Sequence, residues 1–270
     1  MIDLAKCLDE AACRFSGRVG YALANLTTGE RVLSRADEIF PTASVAKLPV
    51  LTAFHAFVDQ GKARWDQTVE ITSADIPGGS GILQYLSLPR TISFQEAAWL
   101  MICVSDNLAT NLLLRAMTIE GTNGLIRRTI GEGIIVDALA GYQPGAPVTS
   151  MGRATPHALL AHLEGLAEGR LPGAYETLAV ARMQSYHSMI PRYLPFNAYG
   201  DSALRIANKT GALPGVRGDI GLLESRGITV AMVFMTAEAA DTGFTFMNEG
   251  EECIGQLARI AFDAWMGAER

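Results

Sequence analysis

The chain has 270 residues, 49% of them hydrophobic and 19% charged, with a net charge of -6 and a pI near 5.3. These values describe a folded globule with one substantial core or two small ones, not a disordered chain. The acidic balance argues against nucleic acid or an anionic membrane as a partner, and no apolar run reaches membrane-spanning length. The start of the chain, Met1-Ile2-Asp3-Leu4-Ala5-Lys6, lacks a basic segment followed by an apolar one. As written it is therefore expected to be cytoplasmic, or periplasmic or secreted if a leader has been trimmed.

Residues 3–15 place Leu4, Cys7, Leu8, Ala11 and Phe15 on one face of an amphipathic helix. Val19–Leu26 and Arg31–Leu33 flank Thr27-Thr28-Gly29-Glu30 and read as a hairpin. Pro41 and Thr42 then look like helix-start residues, followed by Val45, Leu48, Leu51, Ala53 and Phe54 at helical spacing. A long helical middle begins there. It holds a loop at Pro77-Gly78-Gly79-Ser80-Gly81 and a capping box in which Ser93 caps and Glu96 reaches back. An apolar helix runs through Leu112–Met117, residues 137–153 form a long Gly- and Pro-rich irregular stretch, and Thr155-Pro156 opens another helix.

The last third changes character. Leu204–Lys209, Arg217–Leu223 and Ile228–Met235 are strand-like, and residues 249–267 form a final amphipathic helix. A helix and two strands at the start, with three strands and a helix at the end, predict one five-stranded sheet shared by both ends of the chain. The expected class is therefore α+β, an α/β/α sandwich. Residues 1–38 plus 203–270 would form the sheet domain, residues 39–202 an inserted helical domain, and the site would lie between them.

Only four of the 22 Lys and Arg residues are lysines: Lys6, Lys47, Lys62 and Lys209. Arginine serves wherever a fixed charge suffices, whereas lysine can give up its proton, so each retained lysine is a candidate for chemistry. Cys7, Cys13, Cys103 and Cys253 lack metal-ligand spacing and read as small buried apolar residues. His55, His157, His162 and His187 contain no i,i+4 pair, so neither a metal nor another cofactor is expected.

Ser44-Val45-Ala46-Lys47 carries the strongest chemical signal. A serine at a helix start meets free backbone N–H groups that favour an oxyanion, and Lys47 shares its face one turn later. A desolvated lysine can take the proton that makes serine nucleophilic. Ser-x-x-Lys also arises by chance in chains of this length, so its context decides. Two further clusters follow in order, Ser105-Asp106-Asn107 and Lys209-Thr210-Gly211.

Together the three clusters resemble the signature set of penicillin-recognising serine enzymes, with the spacing of class A β-lactamases, across nearly the whole chain. Gly79-Ser80-Gly81-Ile82-Leu83-Gln84 and Ser105-Asp106-Asn107-Leu108-Ala109-Thr110-Asn111 support the resemblance. Gln184 with Ile190-Pro191-Arg192, and the run from Lys209 to Arg217, are similar to a branch described as class A-like serine hydrolases. The resemblance implies Ser44 as acylated nucleophile, Lys47 as its base, Ser105 as proton relay to the leaving nitrogen, and Lys209 as orienter of Ser105. It further implies that Asn107 holds Lys47 and the substrate amide, and that the N–H groups of Ser44 and Ala212 form an oxyanion hole. Gly211 would let the substrate backbone approach. Thr210 and Arg217 would bind a substrate carboxylate, with a surface charge as the plain alternative for Arg217. Asp106 reads as a structural hydrogen-bonder.

One departure stands out. Class A enzymes carry a glutamate in the loop before the Thr-Pro helix, where it activates the deacylating water. Here the stretch reads Val136-Asp137-Ala138-Leu139-Ala140-Gly141-Tyr142-Gln143-Pro144, with no glutamate. Glu132 falls too early, Asp137 reads as a loop anchor, and Tyr142 or Gln143 could orient a water but neither is a good base. The expected function is a β-lactamase-like serine hydrolase with slow deacylation, acting on a small β-lactam, amide or ester that carries a carboxylate. The alternatives are a DD-peptidase or esterase on D-amino-acid-type substrates, a sensor domain that traps a β-lactam without turnover, and a descendant whose motifs are inert.

Overall fold

The computed structural model describes residues 3–142, 149–197 and 203–267. The chain runs through α1 (Leu4–Ala12), β1 (Arg18–Asn25), β2 (Arg31–Ser34) and β3 (Phe40–Pro41), then a 3-10 turn, Ala43–Ala46, that leads into α2 (Lys47–Asp59). The middle contains β4 (Thr68–Ile71), β5 (Arg90–Ser93), α3 (Phe94–Cys103), α4 (Asn107–Met117), α5 (Ile119–Thr129), β6 (Ile134–Val136), β7 (Gly152–Ala154), α6 (Pro156–Ala167) and α7 (Ala174–Ala181). The chain closes with β8 (Arg205–Leu213), β9 (Val216–Ser225), β10 (Ile228–Ala237) and α8 (Glu249–Trp265).

Five strands form one antiparallel sheet in the order β2-β1-β10-β9-β8, so both ends of the chain do meet in it. Alternation along each strand divides its side chains between two cores. Leu23, Val230, Met232 and Phe234 pack with Leu4 and Leu8 of α1 and with Leu257 and Phe262 of α8. Ala22, Ala24, Ala231, Val233 and Met235 face the helical middle, where Leu48, Leu51, Leu113 and Leu160 complete the second core. Small residues on that face let α6 lie close against β1 and β10.

Local signals gave the right boundaries where local bonds set them. Ser93 and Glu96 form the expected reciprocal cap of α3, and Thr155 caps α6 with Pro156 in its first turn. Three expectations need correction. α1 stops at Ala12, although Phe15 still packs into the terminal-helix core. Pro41 does not start a helix but pairs with Arg153 between β3 and β7, and Thr42 stands at the N-cap of the 3-10 turn without a side-chain cap. Of the four cysteines only Cys253 is buried, and Cys13 is exposed just past α1.

Candidate active site

Ser44 sits in the 3-10 turn, the one half-buried residue between buried Ala43 and Val45. The turn is shaped from outside its own sequence. Thr42 N–H donates to Gly152 O at 2.9 Å and Ala43 N–H to Ser150 Oγ at 3.0 Å, with Ala43 held at φ +45°. A left-handed alanine is strained and persists only where its surroundings fix it. β8 runs directly against the turn. A Cβ at Gly211 would lie 2.6 Å from Thr42 O and 2.9 Å from Ser44 N, so the Ser44 backbone itself requires the glycine. Gly211→Ala must push two main chains apart. It is expected to cost about 1–3 kcal/mol in denaturant unfolding and to abolish acylation of Ser44; unchanged stability would contradict the close approach.

Ser105 is the hub of the polar network. It stands at φ +54°, immediately before α4, and its Oγ lies 3.1 Å from Lys47 Nζ and 3.2 Å from Lys209 Nζ. Lys47 also donates to Ser105 O at 2.7 Å and to Asn107 Oδ1 at 2.8 Å, while Lys209 donates to Thr210 O at 2.8 Å. Asn107 Nδ2 donates to Gly78 O at 3.0 Å. The Lys47 side chain is thus tied to Ser105 and Asn107, and its backbone N–H donates to Ser44 O at the end of the turn. Asp106 is structural, as expected: one oxygen accepts from Ile82 N and Leu83 N and the other caps α4 at Ala109 N.

Both lysines are completely buried. Burial, then the charge of Lys209, holds the Lys47 amine well below its ordinary value. Burial also lowers Lys209, to about 7, against the pull of Asp219. Asp219, buried on β9 and bonded by Asn208 Nδ2 and Ile190 N–H, is itself raised to about 7. The arrangement therefore favours one neutral amine and one charged amine sharing the Ser105 hydroxyl. If charged Lys209 orients Ser105, acylation should fall as pH rises through about 7, where Lys209 loses its proton. In Lys209→Arg the guanidinium keeps its charge and this alkaline fall should vanish from the pH–rate profile. A fall that persists would place the titrating group on Asp219.

The loop that lacks a glutamate is clamped by α4. Asn111 Nδ2 donates to Ala140 O and Asn111 Oδ1 accepts from Ala140 N–H, both at 2.8 Å. Ala140, Gly141 and Tyr142 line a cavity of about 520 Å³ together with Ser44, Ser105, Asn107, Thr210, Gly211 and Ala212. Tyr142 is 47% exposed at its mouth, and Gln143 and Pro144 lie outside the described residues. Asp137 pairs with Arg153, as a loop anchor would, and Glu132 pairs with Arg127 on the surface. Neither acid lines the cavity.

Arg217 lies behind the cavity wall. Its side chain is 1% exposed, and its guanidinium donates to Glu251 Oε1 at 3.2 Å, Leu213 O at 2.8 Å, Val216 O at 2.9 Å and Gly243 O. It is not the surface charge of the plain alternative, and it does not itself line the cavity. Other wall residues carried no recognisable signal: Tyr186, Met189, Phe244 and Glu251 come from separate loops and α8. Ser80, whose Oγ donates to Ser105 O at 2.7 Å, and Gln184, which donates to Thr210 Oγ1 at 3.3 Å, lay in quoted motifs without a role. Asn111 could have been found, since it stands one turn beyond Asn107 on α4.

The profile of the beta-lactamase enzyme family matches residues 3–265. A beta-lactamase of Streptomyces cellulosae is 27% identical over 157 residues, which cover 56% of this chain and 50% of that protein; the chain thus spans about half the length of that curated relative. The structure of a beta-lactamase from Sphaerobacter thermophilus superimposes with a TM-score of 0.85 at 27% identity, covering 97% of this chain and 96% of that one. A point mutant of PBP-A, solved as an acyl-enzyme complex with penicillin G, shares the fold with a TM-score of 0.82 at 24% identity, over 97% of this chain and 96% of that one.

Proposed function

The chain belongs to the beta-lactamase enzyme family, and from that premise we propose that it is a serine hydrolase that opens amide or ester bonds, β-lactam rings among them, through an acyl-Ser44 intermediate. The observation that carries this reading is Ser105 Oγ held between the buried amines of Lys47 and Lys209, beside Ser44 on one cavity wall. The Ser44 hydroxyl proton passes to the neutral Lys47 amine as Oγ attacks the carbonyl carbon. The oxyanion is received by the N–H groups of Ser44 and Ala212, both on the cavity wall. When the C–N bond breaks, the nitrogen takes the Ser105 proton, and Lys47 restores it. Asn107 keeps Lys47 in register.

A water must then cleave the ester, and among the described residues Glu251, bound to Arg217 and near the Leu213–Pro214 end, is the one acid on the wall. This favours slow deacylation. A fluorophosphonate should add one group to the protein, mapped by peptide mass to Ser44, and Ser44→Ala should abolish it. An adduct on Ser105 or Ser80 would contradict the assignment.

A further inference from the structure

We infer that a second cavity, between α2, α3 and α7, binds a small molecule bearing a guanidinium group. The cavity holds about 460 Å³, a size suited to a small ligand. It is lined by His55 and Asp59 of α2, Trp65 just past that helix, Trp99 of α3, and Tyr175 and Glu176 of α7. None of these residues lines the Ser44 cavity.

Three aromatic rings and two carboxylates meet here, and no Lys or Arg is among the lining residues. Among the described residues neither the Asp59 nor the Glu176 carboxylate has an ion-pair or hydrogen-bond partner. Both instead act on the imidazole of His55. That side chain is 8% exposed, yet its ring nitrogens have no hydrogen-bond partner among the described residues. They are not sealed in the core as His162 Nδ1 is. The ring is held in place. Gly173, at φ +59°, leaves room for it, since a Cβ there would lie 2.1 Å from the ring, and Trp65 packs on it with centroids 4.6 Å apart.

Burial lowers the imidazole pKa against the pull of Glu176 and Asp59, so near neutrality the ring offers one nitrogen lone pair. A guanidinium answers all of these groups. Its plane stacks on an indole, its forked donors suit a carboxylate, and a further N–H remains for the imidazole. A quaternary ammonium would gain the aromatic contact alone. A neutral arene would leave both carboxylates unanswered.

Titration calorimetry of the full chain with benzylguanidine tests this. Binding should be at least about tenfold tighter than for benzyl alcohol, which lacks the charge, and also tighter than for benzyltrimethylammonium, which lacks the N–H donors. Glu176→Gln and Trp99→Ala, both at exposed positions, should each weaken benzylguanidine at least about fivefold. No heat of binding at millimolar ligand, or binding that neither substitution weakens, would overturn the inference. So would benzyl alcohol or benzyltrimethylammonium bound as tightly as the guanidine.

Discussion

Lys47→Arg is expected to slow acylation of Ser44 at least about a hundredfold, the low end of what a positioned base supplies. The substitution keeps a positive charge near Ser105 and Asn107 but removes the only nearby amine that burial and the Lys209 charge hold below its ordinary value. A neutral amine has one lone pair. In the proposed mechanism it takes the proton of Ser44, and Ser105 Oγ lies 3.1 Å away to receive one in turn. Stopped-flow acylation or timed intact-mass measurement reads the effect. Because Lys47 is fully buried, circular dichroism must show that the variant folds. A folded Lys47→Arg protein that acylates at the normal rate would reduce Lys47 to a charge and place the base elsewhere.

Ala140→Glu is expected to speed decay of the acyl-enzyme about a hundredfold, the gain from supplying a general base where there was none. The structure singles out this position from its neighbours. Asn111 fixes both backbone groups of Ala140, a cavity-lining residue, so a side chain there starts from a held point. A Cβ at Gly141 would instead run to within 3.0 Å of Pro77 O, and Tyr142 stands half in solvent. Burial would raise the carboxyl pKa, which suits a base working near neutrality. Adduct lifetime by intact mass is the readout. Equal lifetimes in the variant and the parent would show that the clamp does not aim residue 140 at the ester.

The hairpin β1–β2, the α3 capping box and the Thr155-Pro156 start were legible because each is set by bonds within a few residues. So was the triplet of clusters around Ser44, Ser105 and Lys209, through its resemblance to the signature set of penicillin-recognising serine enzymes. The 3-10 turn at Ser44 was not legible: its shape is imposed by Ser150, Gly152 and Gly211, more than a hundred residues away in the chain. The burial of Arg217 was hidden for the same reason. Sequence shows the charge, but the partners that claim it, Glu251 and Gly243, are brought in by α8 and the loop before it.

The most direct test is a pre-steady-state time course with excess penicillin G, followed by intact mass and peptide mapping. The expected result is a burst of ring opening equal to one equivalent of enzyme, one adduct on Ser44, and slow turnover thereafter. Fast steady turnover with no burst and no detectable adduct would contradict the account, and would mean that another group activates water against the ester.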